Sequence, residues 1–156
     1  MPYRIQPEDF IPDHETEILL HGNRHVGAVV TFVGYVRDSL NKPLDSMTLE
    51  CYQSMALQQL HMIEQEAKKR WSLIDCLIIH RYGYLQPSAR IVLAVSLSSH
   101  RADAFNSCQF IMDMVKVSVP VWKKEQHGLN TDWIGTKTSD LEAAQKWKRL
   151  PGCDFK

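Results

Sequence analysis

The spacing of apolar positions changes several times along the chain, and each change predicts an element. "PDHETEILLHG" predicts a short helix, with Asp13 or a neighbour as cap, acidic residues in its first turns and Gly22 as its stop. "VGAVVTFVGYVRD" is rich in β-branched residues and predicts a strand, where Gly34 marks a bulge or a close backbone approach. "NKP" predicts a turn, and "LDSMTLECY" a second strand antiparallel to the first. In "SMALQQLHMIEQEAKKRW", Leu57, Leu60, Ile63 and Ala67 recur at helical spacing. Ser54 can cap that helix, and Lys68, Lys69 and Arg70 fill its last turn.

"LIDCLIIHRYGYL" and "ARIVLAVSLSS" predict two strands joined by a turn around Gln86, Pro87 and Ser88. The second is apolar throughout its centre, which suits an interior strand buried on both faces. From Arg101 the period becomes helical again. Ala104, Cys108, Ile111 and Val115, with Phe105 and Met112, form one apolar face, and Pro120 ends the helix. "VWKKEQ", a turn at Gly128 and "DWI" predict a hairpin. "SDLEAAQKW" predicts a last helix, with Ser139 as cap and Glu142 completing a capping box. After the first helix the order is β-β-α-β-β-α-β-β-α, which predicts an α+β domain with helices on one face of a largely antiparallel sheet. Neither a Gly-rich dinucleotide turn nor a P-loop motif is present.

Composition narrows the chemistry. At 156 residues the chain fits one domain, with residues 1–25 expected as an extension and 148–156 as a tail. Lys plus Arg equals Asp plus Glu, 18 against 18, so bulk capture of nucleic acid is not expected and any anion site must be local. No apolar run is long enough to span a membrane, and "MPYRIQPEDF" lacks a signal-peptide core, so a cytoplasmic protein is expected. Cys51, Cys76, Cys108 and Cys153 are scattered and form neither a redox pair nor a zinc knuckle; reduced thiols are expected. His21 and His25 flank Gly22 and Asn23 and read as a turn, so no metal site is expected there.

Local cations then stand out. His100 and Arg101 fall where a strand ends and a helix begins, where free backbone N–H groups and the helix dipole favour an anion. Arg101 adds a planar fork that fits phosphate oxygens. Lys116 lies one turn beyond Met112, at the rim of the apolar face, where desolvation would lower its pKa. Lys123 and Lys124 are adjacent on a predicted strand and point to opposite faces, so only one can enter a given pocket, while Lys123 and Glu125 share a face and can pair. Arg37 ends the first predicted strand. Plainer readings stand beside these: solvated arginines, a His100 ring that caps the helix, and a Lys116 stem that snorkels along the core edge. Spacing alone does not choose between them.

The segments "GAVVTFVGYVRD", "MTLECY", "IIHRYGYL", "SSHRADAF" and "QFIMDMVK…PVWKKE" occur in the order and spacing found in the large, catalytic subunit of molybdopterin synthase, and the chain resembles that family over about residues 26 to 147. The resemblance implies an α/β hammerhead-type α+β domain and a homodimer. It implies a heterotetramer with a small ubiquitin-like sulfur-carrier subunit, whose Gly-Gly tail ends in a thiocarboxylate. The implied substrate is cyclic pyranopterin monophosphate, which gains two sulfurs as a dithiolene; no metal, nucleotide or other cofactor is implied. Residue by residue, Arg37, His100 and Arg101 match substrate-binding positions. Lys116 matches the helix lysine beside the carrier's C-terminus, Lys123 matches the second catalytic lysine, and Lys124 and Glu125 match its substrate-binding neighbours. A thiocarboxylate is already a nucleophile, so the implied chemistry needs cation placement and proton transfer, not a cysteine.

The sequence departs from the family pattern at three places. Tyr35 stands where a basic residue is common, "ECYQSM" replaces a His-Tyr-Pro-Gly-Met run, and Ser118 stands where arginine is frequent. These changes remove positive charge, and the expectation is an active synthase with altered pocket edges. A non-catalytic dimeric module that binds a ubiquitin-like partner or a phosphorylated ligand is the alternative.

Overall fold

The computed structural model describes residues 2–38 and 41–148. At its centre is β6 (Arg90–Ser98), buried from Ile91 to Ser98. It pairs antiparallel with β4 (Leu73–Arg81) on one side and with β2 (Ala28–Tyr35) on the other. β1 (Tyr3–Gln6) adds parallel to β4, giving the order β1-β4-β6-β2. The interior placement expected for β6 is observed, and its cause is visible. Val92 and Ala94 face one core, while Leu93, Val95 and Leu97 face another. Both faces are apolar because both are covered.

One face packs against α2 (Gln53–Arg70) and α3 (Arg101–Ser118). α2 buries Ala56, Leu60, Ile63, Glu64 and Ala67, at steps of three and four residues with Glu64 beside Ile63. α3 buries Ala104, Ser107, Cys108, Phe110, Ile111, Met112, Met114 and Val115. Fully buried side chains such as Leu60, Phe110 and Ile111 stabilise the fold by about 1.5–3 kcal/mol each. The opposite face carries Phe10 with Leu77, Ile79, Leu93, Val95 and Leu97, and Leu19 and Leu20 of α1 (Pro12–Leu20) cover part of it. Residues 1–25 therefore supply a strand and a helix to the fold.

Five details differ from the sequence expectations. β3 (Ser46–Cys51) does not pair with β2. It lies in a second antiparallel sheet of order β5-β3-β7-β8, with β5 (Gly83–Leu85), β7 (Val121–His127) and β8 (Asn130–Ile134). Residues 36–45 form too long a connection for a tight hairpin, and Val36 and Leu44 are buried within it, anchoring the chain as it passes to the second sheet. "LIDCLIIHRYGYL" is two strands, because the chain changes sheet at Tyr82 and Gly83, whose φ is 92°. Leu57 and Phe105 are exposed; each lies one residue off its apolar stripe. No side chain caps α1 or α2: Ile11 and Tyr52 occupy the cap positions. α4 (Thr138–Lys148) starts before Ser139, with the Lys137 carbonyl accepting from the N–H groups of Asp140 and Leu141.

The expected irregularity at Gly34 is present. The β2–β6 register shifts between Gly34 and Tyr35, and a Cβ at Gly34 would meet Val92 Cγ1 at 2.7 Å. The tail at 149–156, with Cys153, lies outside the described residues. Among the described residues no helix is long and apolar enough to cross a membrane.

Candidate active site

Three elements converge where the two sheets meet. The last turn of α3 presents Lys116, β7 presents Lys123 and Glu125, and the chain leaving β2 presents Tyr35, Arg37 and Asp38. With Met47, Ile91, Val121 and the β8–α4 segment they line a cleft of about 490 Å³. That volume falls in the range of small-molecule sites. The cleft adjoins a smaller cavity of about 90 Å³, which shares Tyr35, Ile91, Lys116, Val121 and Lys123. Its walls are mostly apolar, from Phe32, Val92, Met112, Val115 and Val119, and His80 also lines it.

The sequence puts each side chain there for a local reason. Lys116 follows Met112 by one helical turn, so it sits at the edge of the buried face and opens to the cleft. Alternation on β7 sends Lys123 and Glu125 to one face, opposite Leu49 and Met47 of β3. Lys124 goes to the other face, between Thr48 and Trp133 in register, with its ammonium 5.4 Å from the Trp133 ring centre. It is therefore removed from the pocket set that the resemblance implied. Lys123 does not pair with Glu125. The carboxylate of Glu125 instead accepts from His127 Nε2 at 3.0 Å.

Two of the titrating groups that line these spaces are strongly shifted. Burial pushes the Lys123 amine down to about 8, helped by the charge of Lys116 and by a hydrogen bond between the two amines. Asp140 opposes the shift and Lys137 adds to it. His80 is pushed down to about 4, chiefly by burial, with Lys123 and Lys116 contributing. Its Nδ1–H donates to the Arg81 carbonyl at 2.8 Å, which leaves the lone pair on Nε2. The site thus combines side-chain cations of the kind that suit an anion with one amine whose pKa is drawn toward neutral pH.

His100 and Arg101 are exposed at the opposite end of α3. Fifteen residues separate Arg101 from Lys116, about 22 Å along the helix. Within one chain they do not reach the cleft. His100 does not cap the helix with its ring; its backbone N–H donates to Ser98 Oγ at 3.3 Å. Among the described residues no cysteine lines either space. Burial raises the thiols of Cys76 and Cys108 to about 12 and about 11, so both stay protonated.

Sequence reasoning missed His80, Asp38, Thr136, Lys137 and Asp140. A histidine inside the apolar run "CLIIHRY" was a visible sign of the first. The others lie in loops or at a helix start and carry no pattern that points to a cleft.

Known proteins share this fold. Residues 5–118 match the family described as MoaE protein. The chain belongs to the MoaE family. A molybdopterin synthase catalytic subunit from Cereibacter sphaeroides is 40% identical over 143 residues, covering 92% of this chain and 97% of that one. The molybdopterin synthase structure from Staphylococcus aureus superposes with a TM-score of 0.81 at 32% identity, covering 86% of this chain and 98% of that one. A chain from a complex of subunits 1 and 2 of the molybdopterin-converting factor of Helicobacter pylori shares the fold, with a TM-score of 0.74 at 16% identity over 88% and 92% of the two chains. The α+β class and the resemblance to the molybdopterin synthase catalytic subunit family, both read from the sequence, stand.

Proposed function

We propose that this MoaE-family chain is the catalytic subunit of a molybdopterin synthase that acts as a sulfurtransferase. It converts cyclic pyranopterin monophosphate to molybdopterin, using two sulfurs from the C-terminal thiocarboxylate of a small ubiquitin-like carrier. The observation that carries this reading is the meeting of Lys116, Lys123 and Arg37 in one cleft, with the Lys123 amine held near 8. The two-subunit composition in the name of the H. pylori complex supports a separate small subunit. The compartment that goes with this reading is the cytoplasm.

The steps follow from the residues present. Arg37 holds the phosphate with its guanidinium fork. Lys116 lies against the incoming thiocarboxylate and screens its charge. The sulfur attacks a side-chain carbon of the pterin, a C–S bond forms, and a C–O bond breaks. Lys123 supplies the proton that the departing oxygen takes up, and water then releases the carrier as its carboxylate. A second loaded carrier repeats the transfer at the neighbouring carbon; one of the two C–O bonds broken is an ester bond of the cyclic phosphate, which thereby opens to a terminal monophosphate. Glu125 lies on the same wall as Lys123.

His100 and Arg101 enter this scheme through a second copy. β2 is an edge strand, and Val29, Phe32 and Tyr35 on it, with Phe105 on α3, are exposed. Its Ala28 end pairs with Ser98, next to His100, while its Tyr35 end leads to Arg37 and the cleft. The two ends are about 23 Å apart, close to the separation of Arg101 and Lys116 along α3. Antiparallel pairing of two β2 strands about a two-fold axis would bring His100 and Arg101 of the partner subunit to this cleft as further phosphate ligands.

The test is product formation from cyclic pyranopterin monophosphate and thiocarboxylated carrier, detected after oxidation to a fluorescent pterin. Lys116→Ala and Lys123→Ala should each lower turnover by about a hundredfold or more while the fold persists. Binding of carrier and substrate by the wild-type protein without product would instead identify a binding module.

A further inference from the structure

We propose that His127 is a positioning residue that holds the Glu125 carboxylate on the cleft wall as an imidazolium–carboxylate pair, cancelling its charge so that the cleft stays attractive to an anion. This rests on the anion-binding reading of the cleft. The geometry is specific. His127 Nδ1 lies 2.8 Å from the Pro43 carbonyl oxygen, and Nε2 lies 3.0 Å from Glu125 Oε2. A carbonyl can only accept, and an ionised carboxylate can only accept. With Glu125 as the carboxylate, both ring nitrogens donate, and only the protonated ring has two N–H groups to do so. The His127 side chain is 5% exposed and that of Glu125 17%, so water competes little for either contact.

The surroundings agree. From the segment before β3, Lys42 faces the ring and opposes its charge, but Lys42 is paired with Asp132 of β8 at 3.2 Å. Asp45, on the same segment, accepts from the Gly128 N–H at 2.6 Å, and β7 supplies Glu125 itself. Glu125 and then the Pro43 carbonyl raise the His127 pKa above its ordinary value. The alternation of β7 puts Lys123, Glu125 and His127 on one face, so the pair stands next to the working lysine. An unpaired carboxylate there would repel a phosphate; the paired one presents a near-neutral dipole.

The experiment has two arms. Nitrogen NMR of the unmodified protein at pH 7 should show both ring nitrogens of His127 protonated. Binding of inorganic phosphate, followed by titration at pH 7, should weaken about threefold to tenfold in His127→Gln, which keeps a donor but loses the charge. In a Glu125→Gln background the same substitution should change affinity little. A neutral His127 ring at pH 7 overturns the proposal, as does a His127→Gln loss that persists in full without the Glu125 carboxylate. Failure of the sulfur-transfer reading would show in the product assay and would leave the ring's nitrogen shifts as they are.

Discussion

Lys123 and His80 are where burial turns ordinary side chains into chemistry. Lys123 shares its cavity with Lys116, and two ammonium groups side by side repel one another, so the Lys123 amine gives up its proton more readily. Burial is the larger cause of the Lys123 shift and Lys116 the second. Lys116→Met should therefore raise the Lys123 pKa above about 8 but leave it below the ordinary 10.5, read from the carbon shift beside the amine. No movement would mean that the two amines are not coupled. His80 has the same logic with a stability readout. Its folded pKa of about 4 lies below the ordinary 6.5, so between these values the unfolded chain binds a proton that the native one refuses. Its contribution is complete above pH 6.5 and is lost as pH falls toward 4, by roughly 3 kcal/mol. Urea titrations across that range should show this slope, and His80→Gln should flatten it. An equal slope in the variant would place the acid sensitivity elsewhere.

At the scale of elements, α4 positions part of the cleft from a distance. Trp147 is packed edge-on against Trp71 and Phe110, each ring centre 5.6 Å away, and its Nε1–H donates to Asp113 at 2.6 Å. Arg70 donates to the Trp147 carbonyl at 3.1 Å. These contacts fix the C-terminal end of α4 on α2 and α3, while its N-terminal end brings Lys137 and Asp140 to the cleft. Trp147→Ala should cost about 3–5 kcal/mol of packing, concentrated in the docking of α4. Hydrogen exchange should show faster opening of α4 amides with β6 still protected, and substrate affinity should fall as Lys137 and Asp140 leave. Unchanged α4 protection would show that the aromatic cluster does not hold the helix. The helices themselves were legible, because the burial of Leu60, Ile63 and Ala67 follows the 3.6-residue period. Cap residues were not, since Ser54 and Ser139 fall inside their helices.

For the whole molecule, the separation of Arg101 from Lys116 makes a specific demand. If each working site draws its His-Arg pair from a second copy, defects on opposite sides of the site should complement. Lys116→Ala chains mixed and reassembled with Arg101→Ala chains should recover activity that neither has alone, to about a quarter of the wild-type level, because half of the dimers are mixed and each has one intact site. No recovery, with mixed dimers demonstrated, would place the His-Arg pair outside the reaction. Phe32→Asp, on the exposed β2 edge, should shift the same assembly toward monomers by light scattering.

The sequence by itself determined what depends on near neighbours. The helical faces, the buried character of β6, the irregularity at Gly34 and the opposite facing of Lys123 and Lys124 all follow from periods of 3.6 or 2 residues, which the chain carries locally. The MoaE motifs also marked Arg37, Lys116, Lys123 and Glu125, which do share one cleft. Only the tertiary structure decided which strands pair. β2 and β3 go to different sheets because buried Val36 and Leu44 anchor the long segment between them, and β1 joins β4 from far away in sequence. It also decided that Lys124 leaves the pocket, that His80 enters it, that His127 rather than Lys123 partners Glu125, and that His100 and Arg101 stand a helix length away from the lysines. Those facts depend on how far apart residues lie after packing, and no local period encodes that distance.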